Sequence, residues 1–172
     1  MLIWLNGAFG AGKTSVARVI VSTRPEATLV DPEQIGFLLR RLLPKREPPG
    51  DFQDLPLWRE LTVRILTEAA AIATGPVVVP MTLVDPLYFE EVVGGLRLAG
   101  VDLRHFTLTA PPDTLRRRLR RRLGWPGSRR WALARVERTG SALADNLFAE
   151  HIDTERRSVR EVAELILLKT GA

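Results

Sequence analysis

The chain has 172 residues, 45% of them hydrophobic, which fits one domain with a buried core. It contains no cysteine and only two histidines, so disulfide bonds are excluded and a zinc site is not expected. The formal net charge is +5, and the sequence shows neither a signal peptide nor an apolar run of about 18 residues, so we expect a soluble cytoplasmic protein.

Strand-like and helix-like segments alternate along the whole chain. In chain order, the predicted strands are LIWLN, ATLV, VVVP, VDLRHFTLTA and HIDT. The predicted helices are a first one from Thr14, then DPEQIGFLLRRLL, LWRELTVRILTEAAAIAT, DPLYFEEVVGGLRLAG, PPDTLRRRLRRRL, WALARVERTGSALADNLFA with one interruption, and VREVAELILLK. Apolar strands separated by helices need cover on both faces. The alternation therefore predicts a three-layer α/β fold, with a five-stranded parallel sheet between two layers of helices.

The segment GAFGAGKT, from Gly7 to Thr14, follows the first predicted strand and opens the first predicted helix. It fits Gly-x-x-x-x-Gly-Lys-Thr, in which glycines let backbone N–H groups converge on a phosphate at the positive end of a helix. A turn that merely resembles this motif is the alternative, but the strand–loop–helix context favours nucleotide binding. We expect Lys13 to reach the outer phosphates and Thr14 to bind Mg²⁺. The predicted nucleotide-binding positions are Gly7, Ala8, Phe9, Gly10, Ala11, Gly12, Lys13, Thr14 and Ser15.

The predicted strands differ in whether a carboxylate follows them. VVVP continues as Met81 and Thr82, without the aspartate that usually binds magnesium at this point in P-loop proteins. In small-molecule P-loop kinases that carboxylate often follows the second strand, where this chain has Asp31. An aspartate before proline is also a common helix cap, and a capping carboxylate keeps one oxygen free, so both roles stay open. Asp85 has the same two interpretations, with the cap favoured.

Arginine is concentrated between Thr114 and Val136, where nine arginines and no acidic residue occur. Arg118 and Arg122 are four residues apart, so they share one helix face. Their spacing before a glycine-containing loop resembles the lid of nucleoside and nucleotide kinases, here about residues 116–131, whose arginines neutralise charge during phosphoryl transfer. A solvated helix face and a nucleic-acid site are the alternatives. The low aromatic content, 6%, argues against nucleic acid.

Several segments together resemble the bacterial tunicamycin-resistance proteins. They are IWLNGAFGAGKT, DPEQIGFLLR, DFQDLPLWR, VVVPMTLVDPLYF and HFTLTA, in this order over nearly the full length. The resemblance implies an adenylate-kinase-like P-loop fold, with one domain over residues 1–172, that binds ATP and Mg²⁺. It also implies a link to tunicamycin, a uridine-containing nucleoside antibiotic that carries amino sugars and a fatty acyl chain.

The resemblance also implies roles for individual residues. The implied catalytic residues are Lys13, Asp31, Arg118 and Arg122, with Asp31 as the acceptor-side base. The implied acceptor pocket is formed by Asp31, Arg40, Gln53, Trp58, Arg59 and Thr82. Anchoring of the core is the alternative role for Trp58. Thr154, with Glu155 and Arg156, follows the last predicted strand, where this fold usually holds the adenine.

The resemblance favours transfer of the γ-phosphate of ATP to a hydroxyl of tunicamycin or a related nucleoside or sugar. The alternatives are ATP-dependent sequestration of the drug without chemistry, a kinase for a housekeeping metabolite, and a nucleic-acid-associated ATPase. The last predicted helix has an apolar face, which we expect to pack on the sheet and not on a membrane surface. The sequence does not specify an oligomeric state.

Overall fold

The computed structural model describes residues 1–44, 50–121 and 126–172. It contains five parallel strands, which are β1 (Leu2–Gly7), β2 (Thr28–Leu29), β3 (Val77–Pro80), β4 (Leu103–Thr109) and β5 (His151–Asp153). They form one sheet in the order β2-β3-β1-β4-β5, so β1 lies in the centre. The predicted five-stranded parallel sheet is confirmed.

The helices cover this sheet and connect its strands. In the described residues they are α1 (Lys13–Thr23), α2 (Glu33–Leu42), α3 (Pro56–Ile72), α4 (Pro86–Phe89), α5 (Gly95–Leu98), α6 (Pro112–Arg121), α7 (Pro126–Leu133), α8 (Val136–Ala142) and α9 (Val159–Thr170). A π-helical turn (Glu90–Gly94) joins α4 to α5, and 3-10 turns occupy Phe52–Asp54 and Asn146–Phe148. Among these described helices, none has the length and apolar composition needed to cross a membrane.

One stretch differs from the predicted elements. Helix α7 begins at Pro126, inside the predicted loop, because the fixed φ of proline suits the first turn of a helix. The stretch from Trp131 to Ala149, predicted as helical with one interruption, is interrupted twice and divided between α7, α8 and a 3-10 turn. The last division follows from Asp145, whose side chain accepts a hydrogen bond from Leu147 N at 2.8 Å and caps the 3-10 turn.

Both faces of the sheet are buried, as the side chains of β1 illustrate. Ile3 and Leu5 point into one apolar cluster with α1, α6 and α9, whereas Leu2 and Trp4 point into the other with α2 and α3. Successive residues of a strand face opposite sides, so a strand buried on both faces must be apolar throughout. The buried side of α9 packs in the first cluster, which confirms that this helix packs on the sheet.

The parallel strands place five connecting segments along one edge of the sheet. All strands end at this edge, so the residues that follow them lie close together whatever their separation in sequence. The segments begin after Gly7, Leu29, Pro80, Thr109 and Asp153. The predicted site residues that follow strands are carried to this edge.

Candidate nucleotide and acceptor site

The loop between β1 and α1 has a backbone that glycine alone adopts easily. Gly10 and Gly12 have φ values of +88° and +102°. A Cβ atom added to Gly7 would lie 2.6 Å from Leu108 O, and one added to Gly10 would lie 2.9 Å from Leu115 O. At Gly12 nothing lies within 4 Å of such an atom, so this glycine provides the left-handed turn into α1 and leaves open space above it.

Lys13 lies over this loop at the start of α1. Its Nζ donates hydrogen bonds to Gly7 O at 2.7 Å and Ala8 O at 3.2 Å, and lies 5.7 Å from the centre of the Phe9 ring. Thr14 and Ser15 are exposed in the first turn of the helix. Ala8 and Ala11 are buried and carry the loop on the core. The N-terminus of α1, the open space at Gly12 and the Lys13 ammonium thus lie at the same loop, an arrangement that suits a phosphate.

Asn6 fastens the loop to the end of β3. Its Nδ2 donates to Leu83 O at 2.9 Å, and its Oδ1 accepts from Leu83 N at 3.0 Å and from Gly7 N at 2.8 Å. Thr82 adds a second bond, from its Oγ1 to Gly7 O at 2.9 Å. The sequence analysis missed Asn6, although a polar residue at the end of an otherwise apolar, fully buried strand is itself a signal.

Two predicted acceptor residues, Gln53 and Arg59, lie beside Thr82. Gln53 Nε2 donates to Thr82 O at 3.0 Å, and Arg59 Nη1 donates to Gln53 O. Arg59 is 8% exposed; its Nε is paired with Glu91, and its guanidinium lies 4.2 Å from the centre of the Tyr88 ring. The structure therefore brings Gln53, Arg59 and Thr82 together next to the phosphate loop.

Tyr88 is half-buried and contacts the guanidinium of Arg59 with its ring. Its hydroxyl donates to Asp54 Oδ1 at 3.3 Å. Desolvation and then the nearby Asp54 carboxylate raise the pKa of Tyr88, because both disfavour the phenolate. Tyr88 is therefore a neutral hydrogen-bond donor at physiological pH.

Trp58 and Arg40 occupy different surroundings. Trp58 is fully buried in the second apolar cluster, and its Nε1 donates to Pro32 O at 3.0 Å. These contacts favour the core-anchor role, with the indole holding the turn that carries Asp31. Arg40 is exposed, donates to Gly50 O at 3.0 Å and lies 5.3 Å from the centre of the Phe52 ring.

Asp31 and Asp85 both follow strands, and both bond to the backbone of the turn after them. Asp31 is half-buried, and its Oδ1 accepts from Glu33 N at 3.0 Å in the first turn of α2. Asp85 is the N-cap of α4, and its Oδ1 accepts from Leu87 N at 2.9 Å and Tyr88 N at 3.3 Å. These bonds use one oxygen of each carboxylate. The capping role of Asp85 is confirmed, whereas Asp31 precedes Pro32, the N-cap of α2, and bonds to the first residue of that helix. The role of Asp31 as a base stays a prediction.

Arg118 connects the arginine-rich helix α6 to the loop after β5. Its Nη1 donates to Thr154 Oγ1 at 2.9 Å and its Nη2 to Thr154 O at 2.6 Å. Thr154 is buried, and its hydroxyl lies 3.0 Å from Thr109 O and 3.4 Å from Ala11 O. Two predicted nucleotide-side residues are thus in contact at one side of the phosphate loop. Arg122 lies outside the described residues.

An aromatic contact that the sequence analysis missed joins the loop to α7. The ring of Phe9 meets the ring of Trp131 edge-to-face, with centroids 4.9 Å apart, and Arg135 lies 4.1 Å from the Trp131 ring centre. Such contacts cannot be found from spacing, since 122 positions separate the two rings. The contact places part of the arginine-rich region directly against the phosphate loop.

Comparison with known proteins assigns the chain to a family. A model described as an AAA domain matches residues 2–144. The tunicamycin resistance protein of Deinococcus radiodurans has 33% sequence identity and a TM-score of 0.83, over 99% of this chain and 95% of that one. The search of curated proteins found no match.

More distant structures share the fold. A sugar kinase from Janibacter sp. has 16% identity and a TM-score of 0.68, over 99% of this chain and 94% of that one. A shikimate kinase from Bacteroides thetaiotaomicron has 17% identity and a TM-score of 0.63, over 100% of this chain and 99% of that one. The parallel sheet and its helices are therefore those of a P-loop kinase fold. With its glycine loop and these relatives, the chain belongs to the tunicamycin-resistance family of P-loop, AAA-domain proteins.

Proposed function

We propose that this protein is an ATP-dependent phosphotransferase that acts on a hydroxyl of tunicamycin or a related nucleoside or sugar. The observation that carries the proposal is the phosphate loop, where Gly12 leaves open space and Lys13 lies over the carbonyl groups of Gly7 and Ala8. The similarity to the Deinococcus tunicamycin resistance protein supports the choice of acceptor.

The residues of the loop fit ATP and Mg²⁺. The N–H groups of residues 8–14 and the ammonium of Lys13 would bind the phosphates, and the Thr14 hydroxyl would hold the magnesium ion. Bound magnesium supplies positive charge beside the phosphates. Thr154, Glu155 and Arg156 would lie beside the adenine. The site would lie within one domain, residues 1–172. Residues about 116–131 of this domain would form a lid. The protein would act in the cytoplasm.

In the proposed reaction, the acceptor hydroxyl oxygen forms a bond to the γ-phosphorus. The bond from that phosphorus to the bridging oxygen of ADP breaks, and the hydroxyl proton passes to the Asp31 carboxylate. Arg118 and Arg122 would neutralise the charge of the transferred group. Arg40, Gln53, Arg59 and Thr82 would surround the acceptor, with Trp58 supporting the turn beneath Asp31.

ATP-dependent sequestration of tunicamycin is the second candidate function. Two observations favour it: β3 is followed by Met81 and Thr82 without a carboxylate, and one oxygen of Asp31 is engaged by the N–H of Glu33 at the start of α2. A protein without an effective base would bind nucleotide and drug and leave both unchanged.

Mass spectrometry of tunicamycin after incubation with the protein, ATP and Mg²⁺ tests both candidates. We expect the drug to gain one phosphoryl group with the natural protein and none with Lys13→Ala. Unmodified drug that co-elutes with the protein would instead support sequestration. Unmodified drug that does not bind would contradict the assignment of tunicamycin as the ligand.

A further inference from the structure

A continuous set of hydrogen bonds joins the phosphate loop to the segment that carries Gln53 and Arg59. Arg59 donates to Gln53 O, Gln53 Nε2 donates to Thr82 O at 3.0 Å, and Thr82 Oγ1 donates to Gly7 O at 2.9 Å. We call these four residues the Thr82 connection. Thr82 lies in the middle of the connection. Its backbone carbonyl accepts the bond from Gln53, and its hydroxyl donates the bond to Gly7.

The hydroxyl of Thr82 fixes a carbonyl group that also holds Lys13. Gly7 O accepts from Thr82 Oγ1 and from Lys13 Nζ, which lies 2.7 Å away. A carbonyl oxygen has two lone pairs, and here both are used. Since Thr82 is only 9% exposed, water cannot easily replace its hydroxyl. The orientation of Gly7, and through it the position of the Lys13 ammonium, therefore depends on Thr82.

A neutral hydroxyl suits this position better than a carboxylate. Its proton makes the hydrogen bond to Gly7 O, whereas an ionised carboxylate has no proton to donate and would face that carbonyl oxygen without a bond. On its other side, the Gln53 arm is fixed by Arg59, whose guanidinium is buried and paired with Glu91. Both ends of the Thr82 connection, Gly7 and Arg59, are thus held by further contacts within the protein.

We infer that Thr82 is a positioning residue for the phosphate loop, and that it couples the Gln53–Arg59 segment to nucleotide binding. The inference deepens the proposed function and rests on it for its nucleotide-binding part. A change in the arrangement of this segment, such as acceptor binding would bring, alters the affinity for ATP through Thr82, and the coupling works equally in the reverse direction.

Titration calorimetry of Mg²⁺ and a non-hydrolysable ATP analogue into the full chain tests the positioning role. We expect Thr82→Val, which keeps the shape and removes the hydroxyl, to weaken binding about tenfold, the effect of roughly one hydrogen bond. Thr82→Ser, which keeps the hydroxyl, should bind within about twofold of the natural protein. The matched control is Thr139→Val, because Thr139 is also buried but bonds to Arg135 O of its own helix.

A double-mutant cycle tests the coupling. Gln53→Leu should weaken analogue binding by about threefold when Thr82 is present and have no further effect in the Thr82→Val background. The control is Gln34→Leu on the exposed side of α2, which should change nothing in either background. Equal effects of Gln53→Leu in both backgrounds would contradict coupling through the Thr82 hydroxyl.

Amide hydrogen exchange separates this inference from the proposed function, because it needs no nucleotide. We expect faster exchange of residues 7–12 in Thr82→Val than in the natural protein or in Thr139→Val. If the natural protein failed to bind the analogue, the proposed function would be wrong, while faster exchange would still support the positioning role. Unchanged exchange and unchanged affinity in Thr82→Val would overturn it.

Discussion

The phosphate loop and the arginine-rich helix α6 both border the candidate site, but the polar side chains of the two elements are held in different ways. The loop is held by buried hydrogen bonds. Asn6 bonds to the backbone of Leu83, after β3, and to Gly7 N, and the Thr82 hydroxyl bonds to Gly7 O. Helix α6 instead carries surface ion pairs, such as those of Arg116 with Asp113 and Glu137.

The difference indicates which part of the site is preorganised. Buried hydrogen bonds resist rearrangement, because opening them exposes unsatisfied polar groups to an apolar interior, whereas surface ion pairs exchange readily with water. We therefore expect the loop to keep its shape with or without nucleotide, and the arginine-rich region to adjust around it. Arg118 lies between these extremes, since its guanidinium bonds to the buried Thr154.

The largest effect is expected at the preorganised loop. Lys13→Ala removes the cation for the outer phosphates, so phosphorylation of the acceptor should fall by at least about a hundredfold. Lys169→Ala, which removes the exposed lysine paired with Glu150, is the matched control and should retain full activity. Product formation is measured by mass spectrometry, and circular dichroism checks the fold. Retained activity in Lys13→Ala would break the assignment of the loop as the nucleotide site.

Asp31 and Asp85 both accept a backbone N–H at the start of a helix, so comparing their variants distinguishes a catalytic role from a role in holding the turn. Asp31→Asn keeps a capping side chain but removes the base, so turnover should fall about a hundredfold while the Kd for ATP changes less than about threefold. Asp85→Asn should leave both quantities unchanged, because the asparagine can still cap α4. Steady-state kinetics and calorimetry measure the two quantities. Unchanged turnover in Asp31→Asn would leave that residue as a cap alone.

The rigidity of the loop can be tested through its glycines. Gly10→Ala forces a side chain into a left-handed conformation and to within 2.9 Å of Leu115 O. We expect a loss of about 2–3 kcal/mol in the free energy of unfolding, measured by urea denaturation. Gly140→Ala, in the middle of α8 with nothing within 4 Å, should stabilise the protein slightly. Equal stability of both variants would argue against a rigid loop.

The smallest effects belong to the arginine-rich helix. Arg118→Gln loses the bonds to Thr154, and we expect ATP to bind about tenfold more weakly. Arg116→Gln loses exposed ion pairs, so it should change ATP affinity less than about twofold and Tm by less than about 2 °C. Calorimetry and thermal unfolding measure these changes. Similar losses of affinity in both variants would mean that the helix acts through its general charge and not through Arg118.

Local rules predicted the parts of the structure that depend on neighbouring residues. The glycine loop and the capping of α4 by Asp85 both follow from a few consecutive positions. The alternation of strands and helices predicted the parallel sheet, since a doubly covered strand must be apolar on both sides. The helical region from Trp131 was predicted less precisely, since α7 begins earlier, at Pro126, and Asp145 caps a separate 3-10 turn.

The amino-acid sequence alone predicts the class of the protein, a P-loop α/β fold with a glycine loop that suits phosphate. The positions and contacts of the other predicted residues follow from the packing of the whole chain. It buried Trp58 beneath Asp31, joined Gln53 to Thr82, and turned Arg118 toward Thr154 while Arg116 paired at the surface. A glycine turn is a property of a few adjacent backbone dihedrals. Contacts such as Thr82 with Gly7, 75 positions apart, exist only because parallel strands end at the same edge of one sheet.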